Sequence, residues 1–199
     1  FNKSKKMAKL FVIIFLFILS STCFSQEIKE RDYMSIEEAR VYHPDSVIAI
    51  RMNKMKLTEF PEEVLNYPNL RALDLTKNRL TKIPQNLNLL QKMEILALSK
   101  NRLQIFPIVI CSMPNLKSIS VSNNIITNMP TCIKYLTQLE HLDIFNTQMD
   151  SFPSELGLLK NLKTFDARGI LFGREFQQTW EERLPNTKIK FDAPCNCIE

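Results

Sequence analysis

With 199 residues, 45% of them hydrophobic and 24% charged, the chain has the balance of a folded protein, which excludes wholesale disorder. Three glycines are too few for a phosphate-cradling loop, which needs several for close backbone approach. The formal charge of +5 is concentrated in Lys3, Lys5, Lys6 and Lys9; beyond residue 25 the chain holds 22 basic against 21 acidic residues, so bulk charge offers no case for nucleic acid as a partner.

Residues 1–25 read as a secretory signal peptide. A basic stretch precedes the apolar run Leu10–Leu19, and Ser20 to Ser25 leads into polar Gln26, with Cys23 and Ser25 at −3 and −1 of a cut before Gln26. The run falls short of the roughly 20 residues a membrane span needs, so no integral span is expected in the mature chain. Export to the periplasm, cell surface or medium follows. Lipoprotein anchoring at Cys23 is a weaker alternative, because Ser20-Ser21-Thr22 lacks the usual leucine and small residue before the cysteine. Cleavage leaves Cys111, Cys132, Cys195 and Cys197, whose three possible pairings stay open. A bond within the Cys195-x-Cys197 tail is sterically awkward, and a metal there lacks further ligands nearby in sequence.

Residues 26–46 are predicted to form an N-terminal cap. Ser35-Ile36-Glu37-Glu38 is a capping box opening a short helix to about Arg40, and Pro44-Asp45 turns toward the first strand.

From residue 47 to 172 the chain repeats every 23 residues. Val47, Leu70, Met93, Leu116, Leu139 and Leu162 form one column. Three residues later come Ile50, Leu73, Leu96, Ile119, Leu142 and Phe165, and two further on Met52, Leu75, Leu98, Val121, Ile144 and Ala167. A fourth column holds Leu57, Leu80, Leu103, Ile126, Met149 and Phe172, and a fifth Pro61, Pro84, Pro107, Pro130 and Pro153. The alternating x-x-L-x-L segment suits a short strand buried on one face. The proline halts further pairing, and the apolar residues after it suit a helical turn. One repeat cannot bury its own leucines, whereas stacked repeats share a core. Asn78, Asn101 and Asn124 follow the strands, where their amides can satisfy backbone groups left open between coils; Met55, Thr147 and Ile170 replace them in the outer repeats.

The pattern L-x-x-L-x-L-x-x-N-x-L-x-x-I-P, clearest over residues 70–90 and 93–113, resembles the leucine-rich-repeat family in its 23-residue form. The resemblance implies an α/β solenoid, with a short parallel sheet on the concave face and helical or irregular segments on the convex face. It also implies a tendency to bind proteins, with no particular ligand.

Residues 173–199 are predicted to be a C-terminal cap. Phe176, Trp180 and Leu184 form an apolar stripe at helical spacing, and Lys188-Ile189-Lys190-Phe191 alternates like an edge strand.

Equivalent positions on stacked strands form rows across the sheet. Lys54 and Lys56, Lys77 and Arg79, and Lys100 and Arg102 stack as a basic strip beside the strand ends of the first three repeats, where an anionic surface would relieve their repulsion. In later repeats Asn123, Asn146 and Gly169 take the lysine position. Phe145, beside Ser122 and Arg168, is a candidate interface anchor, with His141, Asp143 and Asp166 around it. The functional expectation is a non-catalytic module binding another protein or an acidic glycan through the concave face, without a cofactor. A structural envelope component is the alternative. A hydrolase using Ser118 (or Ser120), His141 and Asp166 is a remote one, since an open sheet provides no oxyanion hole and no pocket that excludes water. His141, Asp143 and Asp166 can also be pictured as metal ligands.

Overall fold

A computed structural model describes residues 27–194. The signal segment with Cys23 and the tail with Cys195 and Cys197 lie outside the described residues.

Seven three-residue strands, β1 (Ala49–Arg51), β2 (Ala72–Asp74), β3 (Ile95–Ala97), β4 (Ser118–Ser120), β5 (His141–Asp143), β6 (Thr164–Asp166) and β7 (Lys188–Lys190), pair in chain order as one parallel sheet. Through the first six strands each residue faces the one 23 positions later, so Ile50, Leu73, Leu96, Ile119, Leu142 and Phe165 stand side by side. Every one of them is buried. The expected α/β solenoid is therefore the fold.

Each return segment opens on its proline, which caps a five-residue 3-10 helix: Glu62–Asn66, Gln85–Leu89, Ile108–Ser112, Thr131–Tyr135 and Ser154–Leu158. Fixed φ suits proline to this place, and its missing N–H would have no intrahelical partner there. The tight turn aims Val64, Leu87, Ile110, Ile133 and Leu156 inward, all of them fully buried.

Asparagines stitch the coils. Asn101 Oδ1 accepts the Leu80 amide at 3.0 Å, while Nδ2 donates to the carbonyls of Leu75 and Leu98. Asn124 does the same for Leu103, Leu98 and Val121, and Asn78 for Met55, Leu57, Met52 and Leu75. Thr147 donates only to Ile144 within its own coil. A second tie is covalent: Cys111 and Cys132, in 3-10 turns of adjacent coils, form a disulfide with Cα atoms 5.7 Å apart.

At the N-terminal end, Ser35 caps α1 (Ile36–Ala39) through reciprocal bonds with Glu38, and Met34 adds a single parallel bridge to Ile50. At the other end, α2 (Arg174–Arg183) carries Trp180 against the last coil. Phe152 sits among Phe165, Phe172, Phe176 and Trp180, with ring centroids 5.0–5.5 Å away. This aromatic cluster closes the core where the leucine columns end.

Candidate binding surface

The turn that leaves each strand repeats one left-handed position in every coil, and the first coil adds a second at Lys56 (φ 59°). Lys54, Lys77, Lys100, Asn123, Asn146 and Gly169 all adopt positive φ, between 53° and 75°. Asparagine and glycine reach this left-handed region cheaply, whereas a lysine there costs about 1–2 kcal/mol. The residue's amide is locked to the next coil: Lys54 donates to Thr76, Lys77 to Ser99 and Lys100 to Ser122, at 2.8–3.0 Å. Two residues on, the Arg79 and Arg102 amides donate back to Leu57 and Leu80 of the preceding coil. The edge of the sheet is thus a rigid rack on which the side chains of Lys54, Lys77, Arg79, Lys100 and Arg102 are exposed. Among the described residues none of these five, nor Lys56, has an ion-pair partner.

The opposite edge, where the strands begin, is arranged otherwise. Arg71, Glu94, Lys117, Glu140 and Lys163 occupy one row in alternating sign. Glu94 accepts Arg71 at 2.5 Å and Lys117 at 2.8 Å, and Lys163 meets Glu140 at 2.6 Å. Burial pushes the Glu94 carboxyl up, but the hydrogen bonds from Arg71 and Lys117 outweigh it and hold it below the usual carboxylate range. One edge pairs its charges in alternation; the other carries cations with no ion-pair partner among the described residues. The alternating row went unnoticed in the sequence, although reading one column at 23-residue spacing displays it.

Between the edges lies the open face of the sheet. Its carboxylates are engaged locally: Asp143 accepts the Phe145 amide at 3.0 Å and the Ser120 hydroxyl at 2.6 Å. Asp166 accepts the amide and guanidinium of Arg168 and the ammonium of Lys190. Burial raises the Asp166 carboxyl, and these donors together hold it below its ordinary value. The arrangement fixes Arg168 over the Phe145 ring, 5.6 Å from its centroid. Ser99, Ser120 and Ser122 share hydroxyl hydrogen bonds beside them, a network that single-row reading does not reveal.

Ser118, His141 and Asp166 are not brought together as a relay. His141 Nδ1 bonds Thr164 Oγ1 at 2.7 Å, on its own row, while Asp166 lies one row over and is held by Arg168 and Lys190. Ser120, the other candidate nucleophile, donates to Asp143. Nor do His141, Asp143 and Asp166 gather into a metal site, and no group of three such side chains able to hold one occurs among the described residues. A crevice between Gly157 and the Arg183–Thr187 segment encloses about 50 Å³, room for a water or two. No helix among the described residues is long and apolar enough to cross a membrane.

A sequence profile described as a leucine-rich repeat region matches residues 36–189. The chain belongs to the leucine-rich-repeat family. Solved leucine-rich-repeat structures share its fold. One, a leucine-rich-repeat protein of Leptospira interrogans, is 32% identical over 68% of this chain, with a TM-score of 0.63; the matched region is 35% of that protein. Another, internalin C2 of Listeria monocytogenes, is 18% identical over 74% of this chain, with a TM-score of 0.64, and is matched over 64% of its length. The chain thus spans less than two thirds of either. No curated protein matches it. Leucine-rich-repeat proteins are generally non-enzymatic binding modules, and the sheet and turn edge of this one offer exposed side chains on a fixed frame.

Proposed function

We propose that this leucine-rich-repeat protein is a non-catalytic module that docks another protein on the open face of its sheet, around Phe145 and Arg168. The observation that carries the reading is the guanidinium of Arg168 lying over the Phe145 ring, both placed by turn carboxylates that accept their backbone amides. A pre-set aromatic–arginine pair contributes contact area with little further ordering on binding. His141, exposed on the neighbouring row, extends the surface. An exported location fits the disulfide between Cys111 and Cys132, since such bonds persist in oxidising compartments, and the basic–apolar–small order of residues 1–25.

The test is capture from envelope extracts on the immobilised chain, comparing it with Phe145→Ala and Arg168→Ala. Proteins retained by the parent and lost from both variants, with unchanged circular dichroism, are the expected outcome. Retention of the same proteins by all three would defeat the proposal.

A further inference from the structure

The rack at the strand-exit edge changes character along its length. In coils one to three the two outward positions hold Lys54 and Lys56, Lys77 and Arg79, and Lys100 and Arg102. In coils four to six the same positions hold Asn123 and Ile125, Asn146 and Gln148, and Gly169 and Leu171, with Ile125 42% and Leu171 80% exposed. Asp192 accepts the Gly169 amide at 2.6 Å, its charge facing Arg168 at the last coil. The edge is therefore a cationic half followed by an uncharged half in which Ile125 and Leu171 are exposed apolar side chains among amides.

Two observations separate this edge from an ordinary solvated surface. Among the described residues its cations have no ion-pair partner, whereas the row on the other edge of the same sheet holds Arg71, Glu94, Lys117, Glu140 and Lys163 in alternating sign and pairs them. Lysine also occupies three left-handed positions where the same chain uses asparagine or glycine further along. Strain retained in three adjacent coils, together with mutual repulsion, points to a gain made outside the free protein.

We propose that this edge binds an extended polypeptide segment laid across the coils, with acidic residues over coils one to three and apolar residues against Ile125 in coil four and Leu171 in coil six. A sulfated or carboxylated glycan would satisfy the first half only, having nothing to bury against Ile125 and Leu171. Six coils at strand spacing span about 24 Å, the length of about seven extended residues. The backbone bonds of Lys77, Lys100, Arg79, Arg102 and Ile125 to neighbouring coils hold the rack in shape before binding. This inference rests on the protein-binding reading but concerns the turn edge, which adjoins the Phe145–Arg168 pair only at coils five and six.

The probe is a fluorescein-labelled peptide with a run of glutamates followed by a run of leucines, titrated by fluorescence polarisation against the full chain. Controls are an all-glutamate peptide, a scrambled peptide and a heparin-type oligosaccharide. The bipartite peptide binds more tightly than each peptide control. The double variant Lys77→Asn, Lys100→Asn, which installs the residue used in coils four and five, weakens it about tenfold or more and flattens its salt dependence. Ile125→Ser with Leu171→Ser weakens the bipartite peptide and leaves the all-glutamate one unchanged. Three results overturn the proposal: no binding of the bipartite peptide by the parent chain, equal binding by the asparagine variant, or an oligosaccharide that outcompetes the peptide and ignores the serine variants. If the asparagine variant binds normally while Phe145→Ala loses its captured proteins, the edge is refuted and the sheet-face reading stands.

Discussion

Cys111 and Cys132 join two neighbouring coils although they do not occupy equivalent positions: 21 residues separate them, against a repeat of 23. The bond runs diagonally between successive 3-10 turns on the side away from the sheet. Closing a loop of this length removes freedom from the unfolded chain worth about 3 kcal/mol. Replacing both cysteines by serine is expected to lower the urea midpoint accordingly, and reductant to have the same effect on the parent. Unfolding curves that coincide with and without reductant would show that the bond contributes nothing.

The asparagine ladder makes a second prediction. Asn101→Ala removes four hydrogen bonds and leaves the Leu80 amide and the Leu75, Leu98 and Ser99 carbonyls without that partner, a loss of about 3 kcal/mol or more. Thr147→Asn should act oppositely, because Thr147 reaches no group of the preceding coil among the described residues. A gain of about 1 kcal/mol is expected from completing the ladder. Chemical denaturation of both variants checks the two signs together.

Acid should weaken the fold through one carboxylate of the strand-start edge, Glu94, and one of the open face, Asp166. The carboxyls of Glu94 and Asp166 are both held below their ordinary values, Glu94 by Arg71 and Lys117 and Asp166 by Arg168 and Lys190, against the opposing effect of burial. A carboxyl depressed in the folded state contributes stability that is complete above its unfolded value, near 4.5 for Glu94, and is lost as pH falls through the folded one. Stability should be level near neutrality and fall below that value, and Glu94→Gln should both lower the plateau and flatten the fall. A Glu94→Gln curve parallel to the parent's across the acid range would exclude Glu94 as a contributor.

Phe152 touches four aromatic rings at the C-terminal end, one of them the single tryptophan, Trp180. Phe152→Ala should cost about 3–5 kcal/mol. It should also shift Trp180 emission to longer wavelength at denaturant concentrations where the far-ultraviolet signal of the sheet persists. Simultaneous loss of both signals would show that α2 and the coils unfold as one unit.

Much of this architecture was legible from the chain alone. The columns at Leu70, Leu73, Leu75 and Leu80 repeat so regularly that the buried face, the strand and the turn follow from the need to hide leucines that no single repeat can cover. The asparagines at 78, 101 and 124 could be assigned their bonding role for the same reason, since the backbone they serve is left open in every coil. The left-handed turn also had a signal, because Asn123, Asn146 and Gly169 share the column of the lysines.

Other features depended on which atoms the coiling brings within reach. Periodicity names the residues of a row but not whether Asp166 turns toward His141 or toward Arg168; side-chain geometry on the assembled sheet decided that, and dissolved the imagined relay. The pairing of Cys111 with Cys132 likewise arose from the diagonal offset of two packed turns, a distance that no column encodes. Repetition is a property of the chain and fixes what must be buried, whereas contacts between unlike positions of different coils exist only once those coils are stacked a few ångströms apart.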